Sequence, residues 1–254
     1  MCTVTLVPRK TGYRLAMNRD ERLTRVKAFP PQQFDDLDGS TSIHPSEPDG
    51  GTWISLNSYG VALALINWYS VPTLPKSNRL SRGKVVLSAR NKRTPDDVAN
   101  VLDKLPLTRM NPFRLIGIFS ENQQAFEWRW NQAKLSARSH LWESQQWISS
   151  GFDEPEAQRV RDATFRQKLR TASPDTLEWL RDLHASHEPL KGPFSTCMHR
   201  NDAATVSYTE IEVADNLGAM AYLDSAACCG RTPYRLVINT VSSPRILFTS
   251  SRAG

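Results

Sequence analysis

Position 2 of the chain is a cysteine, preceded only by the initiator methionine. Methionine aminopeptidases remove Met1 when the second side chain is small, and cysteine qualifies. Cys2 would then carry a thiol and a free α-amine together. An α-amine with a pKa near ~8 can accept the thiol proton while the thiolate attacks a carbonyl carbon, so this chemistry needs no histidine. The plain alternative is a small apolar residue opening an edge strand. Pairing register bears on the choice. If Arg9 to Gly12 close an even-length hairpin, Pro8 faces Tyr13, Leu6 faces Leu15, Val4 faces Met17 and Cys2 faces Arg19. The apolar members then match on one face. A guanidinium comes to lie beside the thiol, where positive charge lowers a thiol pKa. Asn18 and Asp20 point to the opposite face unless a bulge at the strand end re-aims them. Without Cys2, the run Arg19-Asp20-Glu21-Arg22 reads as a solvated charged end of a strand.

Other residue types add to this set. Asn67 ends a second hairpin, either as a turn residue before Trp68 or as a buried donor to a developing oxyanion, a contact worth roughly 3 kcal/mol in acyl transfer. Gly50-Gly51 suits a tight backbone approach before a strand, or an ordinary loop entry. Trp53, Trp68, Trp128, Trp130 and Trp142 either line an apolar pocket or fill the core. Of the histidines, His199 taken alone reads as a satisfied polar residue, and His44, His140, His184 and His187 show no spacing pattern. Cys228 and Cys229 are adjacent and diverge if extended, so they do not together clamp a metal, and no other run has metal-ligand spacing. Neither metal nor cofactor is expected.

The elements that must position these residues follow from pattern. Strands are expected at Cys2 to Val7, Tyr13 to Asp20, Thr52 to Leu56 and Val61 to Ile66, with a polar, Pro-containing loop after the first hairpin. Helices are expected over Arg82 to Arg90 and from the Thr94 cap and Pro95 to about Leu105. Strands resume at Phe113 to Phe119, Ala125 to Trp130 and Gln146 to Ser149. Helices return at Glu154 to Arg170 and from Ser173-Pro174 to His184. Four final strands cover Thr205 to Val213, Met220 to Asp224, Tyr234 to Ile238 and Arg245 to Thr249. This alternation suits an α+β, four-layer αββα sandwich of antiparallel sheets flanked by helices. At 254 residues the chain is expected to form one domain over 1–254. No apolar run approaches a bilayer span, the N-terminus lacks the basic start of a signal peptide, and four cysteines do not make a disulfide framework. The cytosol is therefore the expected compartment. The net charge of +6 is scattered, which argues against nucleic acid and leaves a mild bias toward small anions.

Met1-Cys2-Thr3, Asn18-Arg19-Asp20-Glu21, Gly50-Gly51-Thr52-Trp53, Asn67 and Ser81-Arg82-Gly83 occur in that order. Together they resemble the NRDE family, also called transport and Golgi organisation protein 2. The resemblance covers the N-terminal third most closely. The later Cys197-Met198-His199-Arg200 stretch stands where family members carry an Arg-Ser-Thr-Thr type segment. It implies an N-terminal-nucleophile (Ntn) hydrolase fold related to the penicillin V acylase and bile-salt hydrolase branch. By this resemblance Cys2 is the nucleophile, Arg19 supports the thiolate, Asp20 orients the α-amine and Asn67 donates to the oxyanion. Asn18, Trp53, Trp68, His199 and Arg200 are the expected substrate-binding residues. The implied activity is amide hydrolysis of a linear non-peptide or related acyl substrate. The competing expectation is a non-catalytic carrier of a small hydrophobic anion such as haem or an acyl-CoA.

Overall fold

The computed structural model describes residues 2–74 and 78–240 of the chain. One sheet has six strands in the order β10-β1-β2-β11-β12-β13: β1 (Cys2–Pro8), β2 (Tyr13–Arg22), β10 (Gln145–Ser149), β11 (Ala203–Ala214), β12 (Leu217–Leu223) and β13 (Tyr234–Asn239). The other has seven in sequence order: β3 (Phe29–Asp35), β4 (Thr41–Ser46), β5 (Ile54–Asn57), β6 (Val61–Asn67), β7 (Phe113–Phe119), β8 (Gln124–Trp130) and β9 (Leu135–His140). Every pairing between these strands is antiparallel.

Alternation along each strand sorts its side chains between two cores. Cys2, Val4, Leu6, Leu15 and Met17 of the first sheet meet Ile54, Leu56, Ala64 and Ile116 of the second in the central layer. Val7 and Ala16 point the other way, against Phe165, Leu180 and Leu183 of helices α3 (Glu154–Thr171) and α4 (Leu177–Ala185). On the far side, Leu63, Leu65 and Trp128 pack with Val85, Val86 and Leu102 of α1 (Gly83–Ala89) and α2 (Pro95–Lys104). The result is the αββα order of layers. Among the described residues no helix is long and apolar enough to cross a membrane.

The capping chemistry of α2 matches expectation, with Thr94 Oγ1 accepting from Asp97 N at 3.1 Å and Asp97 returning the bond to the Thr94 backbone. Three expectations change. The segment read as a polar loop after the first hairpin contains β3 and β4. Pro30 and Pro31 hide β3 from a propensity reading, yet the strand lies at the sheet edge and its register with β4 shifts between Phe29 and Gln32. Edge strands and bulges are where proline fits a sheet. At the opposite edge, β9 escapes notice because Leu135 to His140 is mostly exposed and polar. Helix α4 begins after Thr176, whose hydroxyl accepts from Trp179 N at 3.1 Å, rather than at Ser173-Pro174. The strand expected at Arg245 to Thr249 lies outside the described residues.

The helix layer over the first sheet carries one buried histidine. His184 of α4 is fully buried, its Nε2 3.0 Å from Thr5 Oγ1. Burial, with Arg161 nearby, drives its pKa down to about 3. A histidine in the unfolded chain titrates near ~6.5, so the unfolded state takes up a proton that the folded state refuses. The stability linked to His184 is present above ~6.5 and is lost as pH falls toward about 3. Denaturant titrations from about pH 7 to 5 should show stability falling by up to ~1.4 kcal/mol per pH unit from this group, and His184→Gln should flatten that slope. Parallel profiles for the two proteins would exclude this assignment.

Candidate active site

The hairpin of β1 and β2 pairs Pro8 with Tyr13, Leu6 with Leu15, Val4 with Met17 and Cys2 with Arg19, the register that the apolar pattern predicts. Cys2 is nearly buried, and its other neighbour across the sheet is Ser149 of β10. Burial pushes the Cys2 thiol above its ordinary pKa, and the Asp20 carboxylate adds to that effect. Arg19 and the Asp20 backbone N–H, which hydrogen-bonds the sulfur, pull in the opposite direction. Arg19 is itself held from two sides. Its guanidinium donates to Glu47 Oε1 at 2.6 Å and lies 4.3 Å from the centre of the Trp53 ring. Arg25 donates to the other Glu47 oxygen at 2.5 Å, so this carboxylate is shared by two cations.

Asn18 and Asp20 belong to the other face of β2, toward the helices. Asn18 donates its amide to the carbonyls of His184 at 2.8 Å and Thr196 at 2.9 Å. Both contacts are to the protein's own backbone, in a fully buried setting. Asp20 accepts from Thr205 Oγ1 at 2.7 Å and from Arg161 Nη2 at 3.4 Å. Next to this pair the β2–β11 register shifts, with Thr205 opposite Asp20, Ser207 opposite Arg19 and Val206 left over. The bulge is on β11 rather than on β2, so alternation along β2 survives and Arg19 and Asp20 diverge. Arg161, a fully buried residue of α3, also donates to Thr3 Oγ1 at 2.8 Å. Sequence reasoning passed over Arg161, because in the helix alone it is one more arginine in a charged run.

A cavity of about 330 Å³ opens over the thiol, with Cys2, Arg19, Trp53, Asn67, Arg82 and Asn111 in its walls. A second, of about 370 Å³, is lined by Asp20, Tyr69, Arg200 and Asp202 and shares Glu21, Arg25, Asn67 and Arg82 with the first. Cys2 thus lines one cavity and Asp20 its neighbour. Asn67 stands at the junction, donating its amide to Tyr69 Oη at 2.8 Å. Arg82 is fixed by a 3.0 Å bond to the Pro112 carbonyl, and its burial lowers its pKa from the usual arginine value. Two polar atoms of the wall residues, Trp53 Nε1 and Asn111 Oδ1, are buried with no hydrogen-bond partner among the described residues.

The two short glycine motifs meet at this wall. Gly51 has φ +112°, and a Cβ added to Gly83 would stand 3.0 Å from Thr52 N and 3.2 Å from Gly51 Cα. The chain before Trp53 and the start of α1 therefore touch backbone to backbone, joined by the Thr52 N to Gly83 O bond of 3.1 Å. This contact joins the segments that carry Trp53 and Arg82, both of which line the cavity.

The remaining expected residues are spread wider. Trp68 does not line the thiol cavity and stacks instead under Arg129, 5.8 Å from its ring centre. Trp128 and Trp130 fill the core between the second sheet and its helices. Arg200 is held by a two-bond contact to Asp202, both at 2.9 Å, and lies 4.8 Å over Phe152. His199 is absent from the thiol cavity and packs against His187, Cys197 and Cys228.

The Arg161–Asp20 pair has a measurable weight. Removing one partner of a buried pair leaves a charge in a low-dielectric site, typically at a cost of ~3–5 kcal/mol. Arg161→Met should lower unfolding stability by about that amount in urea titrations, and Asp20→Asn combined with it should recover part of the loss. A single-variant loss under ~1 kcal/mol would place Asp20 in a wetter site than its burial indicates.

Comparison with known proteins bears on the fold. Penicillin V acylase from Agrobacterium tumefaciens superposes with a TM-score of 0.51 at 13% identity, over 94% of this chain and 86% of that one. Two mutant forms of conjugated bile acid hydrolase from Clostridium perfringens superpose with a TM-score of 0.53 at 9% identity, over 97% of this chain and 100% of theirs. The fold is accordingly that of the Ntn hydrolases. No curated protein matches the sequence. The sequence profile of the family described as Transport and Golgi organisation 2 matches residues 1–172, and with the motifs around Cys2, Arg19, Gly51 and Gly83 in place the chain belongs to that family.

Proposed function

We propose that the chain, once Met1 is removed, is an N-terminal-cysteine hydrolase that cleaves a linear non-peptide amide or a related acyl compound. The observation that carries this reading is the pairing of Cys2 with Arg19 at the wall of a cavity that Asn67 also lines. The thiol passes its proton to the α-amine of the same residue, and the sulfur adds to the substrate carbonyl carbon. The resulting oxyanion takes a hydrogen bond from Asn67 Nδ2, which turns from Tyr69 Oη. The ammonium returns the proton to the leaving amine as the C–N bond breaks, leaving a thioester on Cys2. Water, activated by the same α-amine, then releases the acid and frees the thiol. Asp20 orients the amine from the helix side, and Arg19 offsets charge on the sulfur.

Two features of the surroundings suit an acyl substrate. Trp53 Nε1 and Asn111 Oδ1 offer a donor and an acceptor that the protein leaves unused among its described residues. Beside the thiol cavity runs a groove of about 290 Å³ that shares Arg19, Glu21 and Arg25 with it and adds Arg22, Lys27, Leu23, Val26 and Tyr222. Apolar walls with basic residues alongside fit an amphipathic acyl group carrying an anionic end. The thiol cavity itself carries ion-paired Arg19, Arg25 and Glu47, which suits a polar head better than a flat hydrophobic macrocycle such as haem.

Intact mass should show a mature chain that begins at Cys2. Incubation with a panel of acyl amides should trap a thioester on that residue, and Cys2→Ala should abolish both the adduct and turnover. Cys2→Ser should retain at most a few per cent, because a hydroxyl is a far weaker nucleophile at neutral pH. Full turnover by Cys2→Ala, or retention of Met1 on active protein, would overturn the reading.

A further inference from the structure

His187, Cys197 and His199 lie on one stretch of chain, and the distant Cys228 joins them in space. Each offers one ligand atom, and all four atoms lie within 4.8 Å of one another. The first three come from the segment between α4 and β11, and Cys228 comes from the short 3-10 turn Ala227–Cys229 after β12. We propose that these four residues form a structural zinc site, independent of the Cys2 chemistry.

The distances suit a tetrahedral ion. With Zn–S near ~2.3 Å and Zn–N near ~2.0–2.1 Å, a tetrahedral site sets each sulfur about 3.6 Å from each nitrogen. His199 Nε2 lies 3.5 Å from Cys197 Sγ and 3.6 Å from Cys228 Sγ. His187 completes the set with an unused atom, since its Nε2 is buried and has no hydrogen-bond partner among the described residues. Its ring meets that of His199 nearly edge-on at 5.0 Å between centres. Two thiolates balance the charge of a divalent cation, so the loaded site is neutral. Two sulfurs and two imidazoles are a donor set that zinc prefers, and four protein ligands leave no open position for catalysis.

Cys228 and Cys229 lie in a 3-10 turn rather than the extended chain assumed for them, yet their thiols still part. Cys229 turns away to Ser225, at 2.9 Å, and only Cys228 faces the cluster. The spacing resembles no zinc motif, because the ligands are gathered by tertiary structure. The site also has a defined mechanical role. The backbone of Cys197 bonds to Ser186 O at 2.9 Å and that of His199 to Gly192 O at 3.1 Å. The next link is Met198, whose N–H donates to Thr205 Oγ1 at 2.9 Å, and that hydroxyl in turn donates to Asp20 at 2.7 Å. A cation here would tie the segment that holds Asp20 to the turn after β12.

The full chain, purified under reducing conditions without chelator, should carry about one zinc by elemental analysis. Replacing the metal with cobalt should give the thiolate-to-cobalt charge-transfer band and the intense visible bands of a tetrahedral ion. Cys197→Ser and His199→Ala should each reduce the bound metal to background, whereas Cys2→Ala and Cys229→Ser should retain the full equivalent. Because a ligand deletion can unfold the loop, His187→Cys supplies a second arm, keeping the metal while strengthening the charge-transfer band. A reduced, folded wild-type chain that takes up no cobalt into tetrahedral thiolate coordination would overturn the proposal. So would a Cys197–Cys228 disulfide persisting in reductant, or a spectrum unchanged by Cys197→Ser.

Discussion

The contact on which the rest of the structure turns is the buried pair of Arg161 and Asp20. A helix and a sheet can pack on apolar surface alone, but such packing fixes their relative position only loosely. Arg161 reaches from α3 through that layer to Thr3 on β1 and Asp20 on β2. One side chain therefore anchors both strands that carry the thiol hairpin. A guanidinium with no solvent has to find acceptors at fixed angles, and that requirement converts a greasy interface into a registered one. Thr205 completes the arrangement from β11. Three strands and one helix are thus held in common at the end of the sheet where Cys2 sits.

On the opposite face of the same strands the requirements are different. Cys2 and Arg19 belong to the central layer, where Arg19 is paired with Glu47 and covered by the Trp53 ring. The divergence of Arg19 and Asp20 is what a regular strand demands. Arg19 faces the central layer beside Cys2, and Asp20 faces the helices, where it meets Arg161 and Thr205. The close approach of Gly51 and Gly83 brings the start of α1, with Arg82, to the cavity wall.

Much of this was legible before any coordinates. The hairpin register followed from matching apolar residues, and a single offset of one residue would have turned Cys2 to the helices. The alternation of strand and helix patterns suits the αββα layer order, although periodicity alone does not separate it from other α+β layouts. The limits of legibility have physical causes. Strands β3 and β9 lie at sheet edges, where one side of the ladder and often one face are exposed to water, so their residues need not be apolar. Arg161 gains its meaning from acceptors 141 and 158 positions away, which no local pattern announces. Asn18 looked available as a polar residue in a motif, yet two backbone carbonyls occupy its amide. The His187, Cys197, His199 and Cys228 grouping was invisible for the same reason as Arg161, since only the fold gathers it.

Pro30 and Pro31 give the seven-stranded sheet a further property. They remove two amide hydrogens from its edge strand, just where the β3–β4 register slips. A strand from another copy approaching that rim would find an interrupted row of donors and a bent edge. The same two prolines that disguise β3 as a loop thus blunt it as a template for edge-to-edge polymerisation.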